Sequence, residues 1–323
     1  MRKSRCARLL LWLSAIAAAG AACAQSYPTR PVRLVVPWPA GGPPDAVGRV
    51  VASRISETFK QQIIIDNRPG ANSIIGTEMV AKSAPDGYTY LFTTGSHTTN
   101  AALYAKLPYD TLNDFTAMAL VGESAGMVLA VHPSVPANSV KELVALAKAR
   151  PGALNFAAAV GGAPHLAGVA FATQADVKWT YIPFKGGAEV IIGVATGQAD
   201  VTFNGMLATY PHVKSGKLKI LAVSSAQRVS AIPEVPTVAE SGLKDFETGT
   251  WQGAVAPAGT PKDIVARLNG EIIKVFSTAE MKENLAKQGA ETRPMTPEQL
   301  GDWLKREIAK WAGVVAAAKL KLE

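Results

Sequence analysis

The chain has 323 residues, of which 48% are hydrophobic and 18% charged, and its formal net charge is +8. This balance excludes a disordered chain, a disulfide scaffold and a multi-span membrane protein, because beyond the N-terminus polar residues break every apolar run before the roughly 18 residues of a membrane helix. At this length one large or two medium domains are expected, since single cores stop growing near roughly 250 to 300 residues.

The first predicted element is an export leader. Arg2, Lys3, Arg5 and Arg8 precede the apolar run LLLWLSAIAAAGAA, and Ala22-Cys23-Ala24 offers a small-x-small cleavage site. Residues 1–24 therefore read as a signal peptide cut near Ala24, which places the protein in the periplasm. Cleavage halves the net charge of +8, and the mild, evenly spread remainder does not argue for nucleic acid. Both cysteines, Cys6 and Cys23, lie in the leader, so the mature chain would hold no thiol, disulfide or Cys-based metal site. A lipid anchor at Cys23 is the less favoured alternative, because Gly20 stands where lipoprotein signals usually carry a large aliphatic residue.

From Val32 onward, short β-branched runs alternate with amphipathic stretches, the pattern of βαβ units and a mainly parallel sheet. Strands are expected at 32–37, 63–66, 88–94 and 127–133, then at 154–158, 179–184, 199–204, 218–224 and 251–257. Two sheets in two lobes accommodate them more simply than one. Ser139 should cap a helix that Pro151-Gly152 stops. The longest predicted helix is C-terminal: Thr296 and Gln299 form a capping box, Pro297 takes the first helical position, and Leu300, Leu304, Ile308, Trp311 and Val315 share one face. It should dock on a lobe.

Glycine-rich turns between strand and helix are the informative feature. In PWPAGGPPDAVGRVV, Gly41-Gly42 precede Pro43 and Pro44 at a helix start, Asp45 falls in the first turn, and Val47, Val50, Val51 and Ile55 form an apolar stripe. Free amides at such a start, backed by the helix dipole, suit a carboxylate or phosphate. AAAVGGAPHLAGVAF repeats the design with Gly161-Gly162 and Pro164, and FKGGAEVII supplies a third turn. Such starts on two lobes would surround one polar or anionic ligand in a cleft. Plain turn chemistry is the alternative for any single one. None matches a nucleotide fingerprint, so no cofactor is expected.

Gly122-Glu123-Ser124-Ala125-Gly126 fits the G-x-S-x-G hydrolase elbow, but a strand pattern follows where an elbow needs a helix. A secreted serine hydrolase acting through Ser124 is thus the rival from another class. The four histidines, His97, His132, His165 and His212, share no metal-ligand spacing. His132 reads as a strand-end residue and His212 as a solvated helix start. His97 falls where a loop would line the cleft. His165 could contact ligand or brace its own turn. Trp38 and Trp251 could wall the cleft or pack in the core, and Lys185 beside Gly186 could pair with a carboxylate or be solvated. Thr94 at the end of the third strand and Ser96 after it, and Asn204 at the end of the strand at 199–204, complete the candidates.

The blocks YPTRPVRLVVPWPAGGPPDAVGR, IIIDNRPGANSIIGTEMVAKSAPDGYTYLFTT, LPYDTLNDFTAMALVG, VHPSVPANSVKELVALAKARPGALNF, TYIPFKGGAEVIIGVATGQADVTF and GKLKILAVSSAQRVSAIPEVPTVAESG occur in this order. Together they resemble the tripartite tricarboxylate transporter solute-binding proteins, the Bug-type periplasmic receptors, over nearly the whole mature chain. The resemblance implies an α/β, two-lobed periplasmic binding protein of type II, a Venus flytrap with a mainly parallel sheet in each lobe. The lobes would be residues 25–126 with 253–323, and residues 127–252, hinged at the crossing strands. It further implies a monomeric, non-enzymatic receptor that closes on a small organic acid or related metabolite and delivers it to a large and a small integral membrane subunit. A receptor presenting its solute to a signalling protein would share the fold.

In such proteins two facing loops hold the carboxylate through backbone amides and ordered waters. Here these would be Trp38, Pro39, Ala40, Gly41, Gly42 and Asp45, and Ala158, Val160, Gly161, Gly162 and His165. The second loop lacks the serines usual in the family, and PFKGGAEV replaces a more usual Tyr-Lys-Gly-Ala turn. Its hydrogen-bonding capacity is reduced, and a less acidic or more apolar solute becomes the alternative.

Overall fold

The computed structural model describes residues 27–124, 126–229, 231–287, 290–318 and 320; the expected leader at residues 1–24, with Cys6 and Cys23, lies outside them. The chain first runs β1 (Val32–Val36), α1 (Pro43–Phe59), β2 (Ile63–Asn67), α2 (Ile74–Ala81), β3 (Thr89–Thr94), α3 (Ser96–Leu103) and β4 (Phe115–Ser124). It then crosses into β5 (Val128–Val131), α4 (Val140–Ala149), β6 (Asn155–Ala159), α5 (Ala163–Ala175), β7 (Thr180–Phe184), α6 (Gly187–Ala195), β8 (Val201–Asn204), α7 (Met206–Lys214) and β9 (Lys219–Val223). It returns through β10 (Trp251–Pro257), α8 (Lys262–Ser277), α9 (Ala279–Lys287), β11 (Ala290–Glu291) and α10 (Pro297–Ala317).

Two sheets result, ordered β11-β4-β10-β3-β1-β2 and β7-β6-β8-β5-β9. The two-lobed α/β class is as expected, but the sheets are mixed rather than mainly parallel. β1 runs parallel to β2 and β3, and β6 to β7 and β8, whereas β10 and β5 are antiparallel to both of their neighbours. The reason is topological. β5 and β10 each enter a sheet from the crossing edge, the edge at which the βα strands end, so they must run the opposite way. Because Trp251 and Gln252 already pair within the first sheet, the chain re-enters that half by residue 251, not 253.

Period-two burial divides the first sheet. Val32, Leu34 and Val36 pack with Val51, Ile55 and Phe276 on one face, and Val35 packs with Val80, Leu300 and Trp303 on the other. The second half centres on Leu129, Phe156, Phe171 and Phe203. β4 and β11 were not expected. β4 feeds both core clusters of its half, Met118, Ala119 and Val121 into one and Phe115 and Leu120 into the other, while its alanines at 117 and 119 favour helix over strand; β11 is only two residues long. His212 lies in the last turn of α7, with Pro211 inside the helix, rather than at a helix start.

The capping box of α10 forms: Thr296 Oγ1 accepts the Gln299 amide at 3.2 Å and Gln299 Oε1 accepts the Thr296 amide at 3.0 Å. Its apolar face, however, does more than dock on one lobe. Trp311 and Val315 join Leu103 of α3 and Leu166 of α5 in a single buried cluster, so the helix seals both halves together. Ile308 is only partly buried, and Trp303 takes a place on the buried face.

At the crossing, Ser224 ties both linking segments. Its Oγ accepts the Met127 amide at 2.7 Å and donates to the Thr248 carbonyl at 2.5 Å. Its own amide donates to Met127 O at 2.7 Å and its carbonyl accepts from Thr248 N at 2.9 Å. Gly126, with φ of 99°, packs against Ser225 so closely that no Cβ would fit.

Candidate functional site

Ligands in open α/β sheets sit beyond the carboxyl ends of the strands. Here those ends face the crossing in both halves. Thr94 at the end of β3 pairs with Gln252, Glu123 near the end of β4 pairs with Trp251, and Asn204 at the end of β8 pairs with Val128, where the chain enters. The turns after β1, β3, β6, β7 and β8 therefore converge on one gap between the sheets.

Two of these turns are built alike. Gly41 (φ 82°) and Gly161 (φ 74°) adopt the left-handed conformation that glycine takes at low cost. Gly42 and Gly162 follow as extended N-caps of α1 and α5, with φ/ψ of −76°/166° and −74°/162° and no side-chain cap. Their amides return to Pro39 O at 3.3 Å and Ala159 O at 3.4 Å. In the first, Asp45 Oδ2 accepts the Gly41 amide at 2.9 Å; in the second, His165 Nδ1 accepts the Gly161 amide at 3.3 Å. Both acceptors are buried and brace their own loops.

Their chemistry differs. The Arg49 guanidinium at 2.8 Å holds the Asp45 carboxyl down to about 2, helped by the Gly41 amide and by Asn67 Nδ2 at 3.0 Å. Burial pushes His165 below the ordinary histidine value, leaving a neutral ring whose Nδ1 can accept. That ring stacks on Tyr181, centroids 4.3 Å apart, and the Tyr181 hydroxyl donates to Ala158 O at 2.9 Å.

Between the halves lies a cavity of about 640 Å³. Val47, Val121, Gly122, Trp251, Gln252, Leu285 and Ala290 line it from the first half, Gly187, Ala188, Asn204, Gly205, Met206 and Ala208 from the second, and Thr250 from the crossing. The second half thus presents the starts of α6 and α7, neither of which carries a side-chain cap. First-turn amides have no partner inside their own helix. Asn204 fastens the two starts together: Nδ2 donates to Gly187 O at 3.1 Å and Oδ1 accepts the Gly205 amide at 2.8 Å.

Of the residues singled out from sequence, Asn204 lines this cavity, as does Trp251. Pro39, Ala40 and Gly41 are exposed at the crossing edge, Trp38 and Gly42 are half-buried beside them, and Val160 is 49% exposed on the matching loop. Ala158 and Gly161 are buried, Gly162 and Gly186 half-buried. Thr94 Oγ1 and Ser96 Oγ lie 3.2 Å apart, and Ser96 also bonds Ser73 at 2.9 Å. His97 does not line the cleft. Its polar run forms α3, which turns the ring inward to full burial, edge-on to Phe115 and Trp251. Lys185 is exposed, and its backbone amide is held by Glu189.

Sequence reasoning missed Gly187, Ala188, Gly205 and Met206, although the turns preceding them carried the signal. Leu285, Ala290 and Thr250 had none, because only the return of the chain brings them to the gap. Gly122–Ser124 end β4, and the next described element is the strand β5 rather than the helix that an elbow needs. A second cavity, of about 310 Å³, lies behind the crossing. Its charged residues are largely paired already, Arg293 with Glu123 at 2.9 Å and Lys310 with Glu307 at 3.2 Å. Helix starts face the front cavity, not this one.

Among the described residues no group of His, Cys, Asp and Glu could hold a metal ion, and no helix is long and apolar enough to cross a membrane.

Comparison with known proteins is consistent with this architecture. The model of the tripartite tricarboxylate transporter family receptor matches residues 47–320. Protein BugT of Bordetella pertussis is 35% identical over 314 residues, 95% of this chain and 96% of that protein. Rpa4515 of R. palustris, solved with adipate, superposes with a TM-score of 0.81 at 34% identity, covering 91% of this chain and 99% of that one. MatC of Rhodopseudomonas palustris, with bound malate, gives 0.78 at 31% identity, over 90% and 100%.

Proposed function

The chain belongs to the tripartite tricarboxylate transporter receptor family, and on that premise we propose that it is a periplasmic receptor capturing a small carboxylate-bearing solute between its lobes. The supporting observation is the gap itself: uncapped starts of α6 and α7 border one cavity of about 640 Å³, and the twin loops before α1 and α5 stand on the same facing edges. A helix start favours an anion through its amides and its dipole. Residues 38–42 and 160–162 contribute backbone rather than charge. The lobes, residues 25–126 with 251–323 and residues 127–250, close about the segments tied by Ser224, and contacts made only on closure set selectivity. The loaded receptor then hands its solute to a large and a small membrane subunit. Adipate and malate, named for two relatives, set the size class.

A thermal-shift screen against mono-, di- and tricarboxylates, with the corresponding alcohols and amides as controls, tests this. A ligand that binds only the folded state at about 100 times its Kd adds roughly 2.7 kcal/mol to stability. Carboxylates should raise the Tm and their neutral analogues should not. A screen in which no carboxylate shifts the Tm overturns the reading.

A further inference from the structure

Resting on that reading, we propose that the solute carries a single carboxylate on an apolar body, in the chemical class of benzoate or hexanoate, and that di- and tricarboxylates are disfavoured. The cavity wall carries the argument. Val47, Val121, Trp251 and Leu285 face Met206 and Ala208 across about 640 Å³, and among the described residues no lining side chain bears a charge. The polar side chains on the wall are Asn204, Thr250 and Gln252, and the Asn204 amide is already engaged with Gly187 and Gly205.

Among the described side chains, the nearby cations are engaged or turned away. Arg49 is paired with Asp45, Arg293 with Glu123, and Lys185 is exposed and absent from the wall. One carboxylate can be taken by helix-start amides. A second would be stripped of water against methyl groups with no counter-ion among the described side chains, which is strongly unfavourable. An apolar body instead releases water from the Val, Leu and Met surfaces. The loop before α5 points the same way, since it offers Ala158, Ala159 and a half-exposed Val160 rather than hydroxyls.

Isothermal titration of the purified protein with matched pairs tests the inference: hexanoate against adipate, and benzoate against terephthalate, each pair differing by one carboxylate. The monoacid of at least one pair should bind tighter by about tenfold or more. Diacids binding as tightly as their monoacids in both pairs overturns the inference while the carboxylate-receptor reading stands. Hexanol and benzyl alcohol matching the acids, or no acid binding at all, overturns both. The Ala188→Arg variant gives a second arm. Ala188 is exposed in the first turn of α6, so folding is not at stake, and the new cation should narrow or reverse the hexanoate-to-adipate ratio. A ratio unchanged in the folded variant removes the cavity as the seat of the solute and overturns the inference.

Discussion

Asp45 and His165 are counterparts: each lies four residues beyond a left-handed glycine and accepts that glycine's amide, at 2.9 Å in one half and 3.3 Å in the other. One brace is a carboxylate paired with arginine, the other a neutral imidazole. Acid should therefore act on the two loops at different pH values.

Both buried histidines make the protein sensitive to mild acid. Burial holds His97 down to about 4 and lowers His165 as well, so the unfolded chain binds their protons first. Stability is then fully present above about pH 6.5 and falls as pH drops toward the folded values. Denaturation midpoints between pH 7 and pH 4 should decline, and the His97→Met variant should flatten part of that slope. A slope that His97→Met leaves intact refutes the assignment.

Asp45 behaves oppositely on the acid scale. Its carboxyl is held near 2 in the folded state, so its contribution persists above about pH 4 and disappears only as pH falls toward 2. Asp45→Ala leaves the Gly41 amide without its acceptor and the Asn67 amide group with only the Trp38 carbonyl, and should cost about 1–3 kcal/mol. Urea unfolding at pH 7 measures the loss, and calorimetry should show weaker solute binding.

Removing the Ser224 hydroxyl breaks contacts to both crossing segments. Ser224→Ala should destabilise by about 1–3 kcal/mol, because the Met127 amide and the Thr248 carbonyl lose a buried partner. Gly126→Ala should also destabilise, through positive φ and the close Ser225 backbone. Small-angle scattering of either folded variant should report a broader distribution of lobe separations.

Leu166 is fully buried under Trp311 and Val315 although it belongs to the other half. Leu166→Ala should cost about 2–5 kcal/mol by lost transfer energy and cavity formation. A loss well below that range in chemical denaturation would mean that the cluster is loosely packed or water-accessible.

Local chemistry made the loops legible. Gly41-Gly42-Pro43 and Gly161-Gly162-Ala163-Pro164 each set a left-handed glycine before a helix start, and Thr296 with Gln299 specifies a cap. What stayed hidden depends on partners distant in sequence. The run Ser96–Asn100 looks like a polar loop, yet α10 and β4 cover it and bury His97. β4 was hidden because the alanines at 117 and 119 favour helix over strand, and the serine motif at its end pointed to a turn. Which glycine turns border the cavity follows from the strand order β7-β6-β8-β5-β9, which no single segment encodes.

The seal made by α10 gives the molecule a spine. If Leu166 stays dry beneath Trp311 during opening, the halves can part only like a book, widest along the fore-edge formed by α1 and α9 on one side and α6 and α7 on the other. Anything that distinguishes the filled protein from the empty one would find the largest change in shape along that margin, and almost none along the binding.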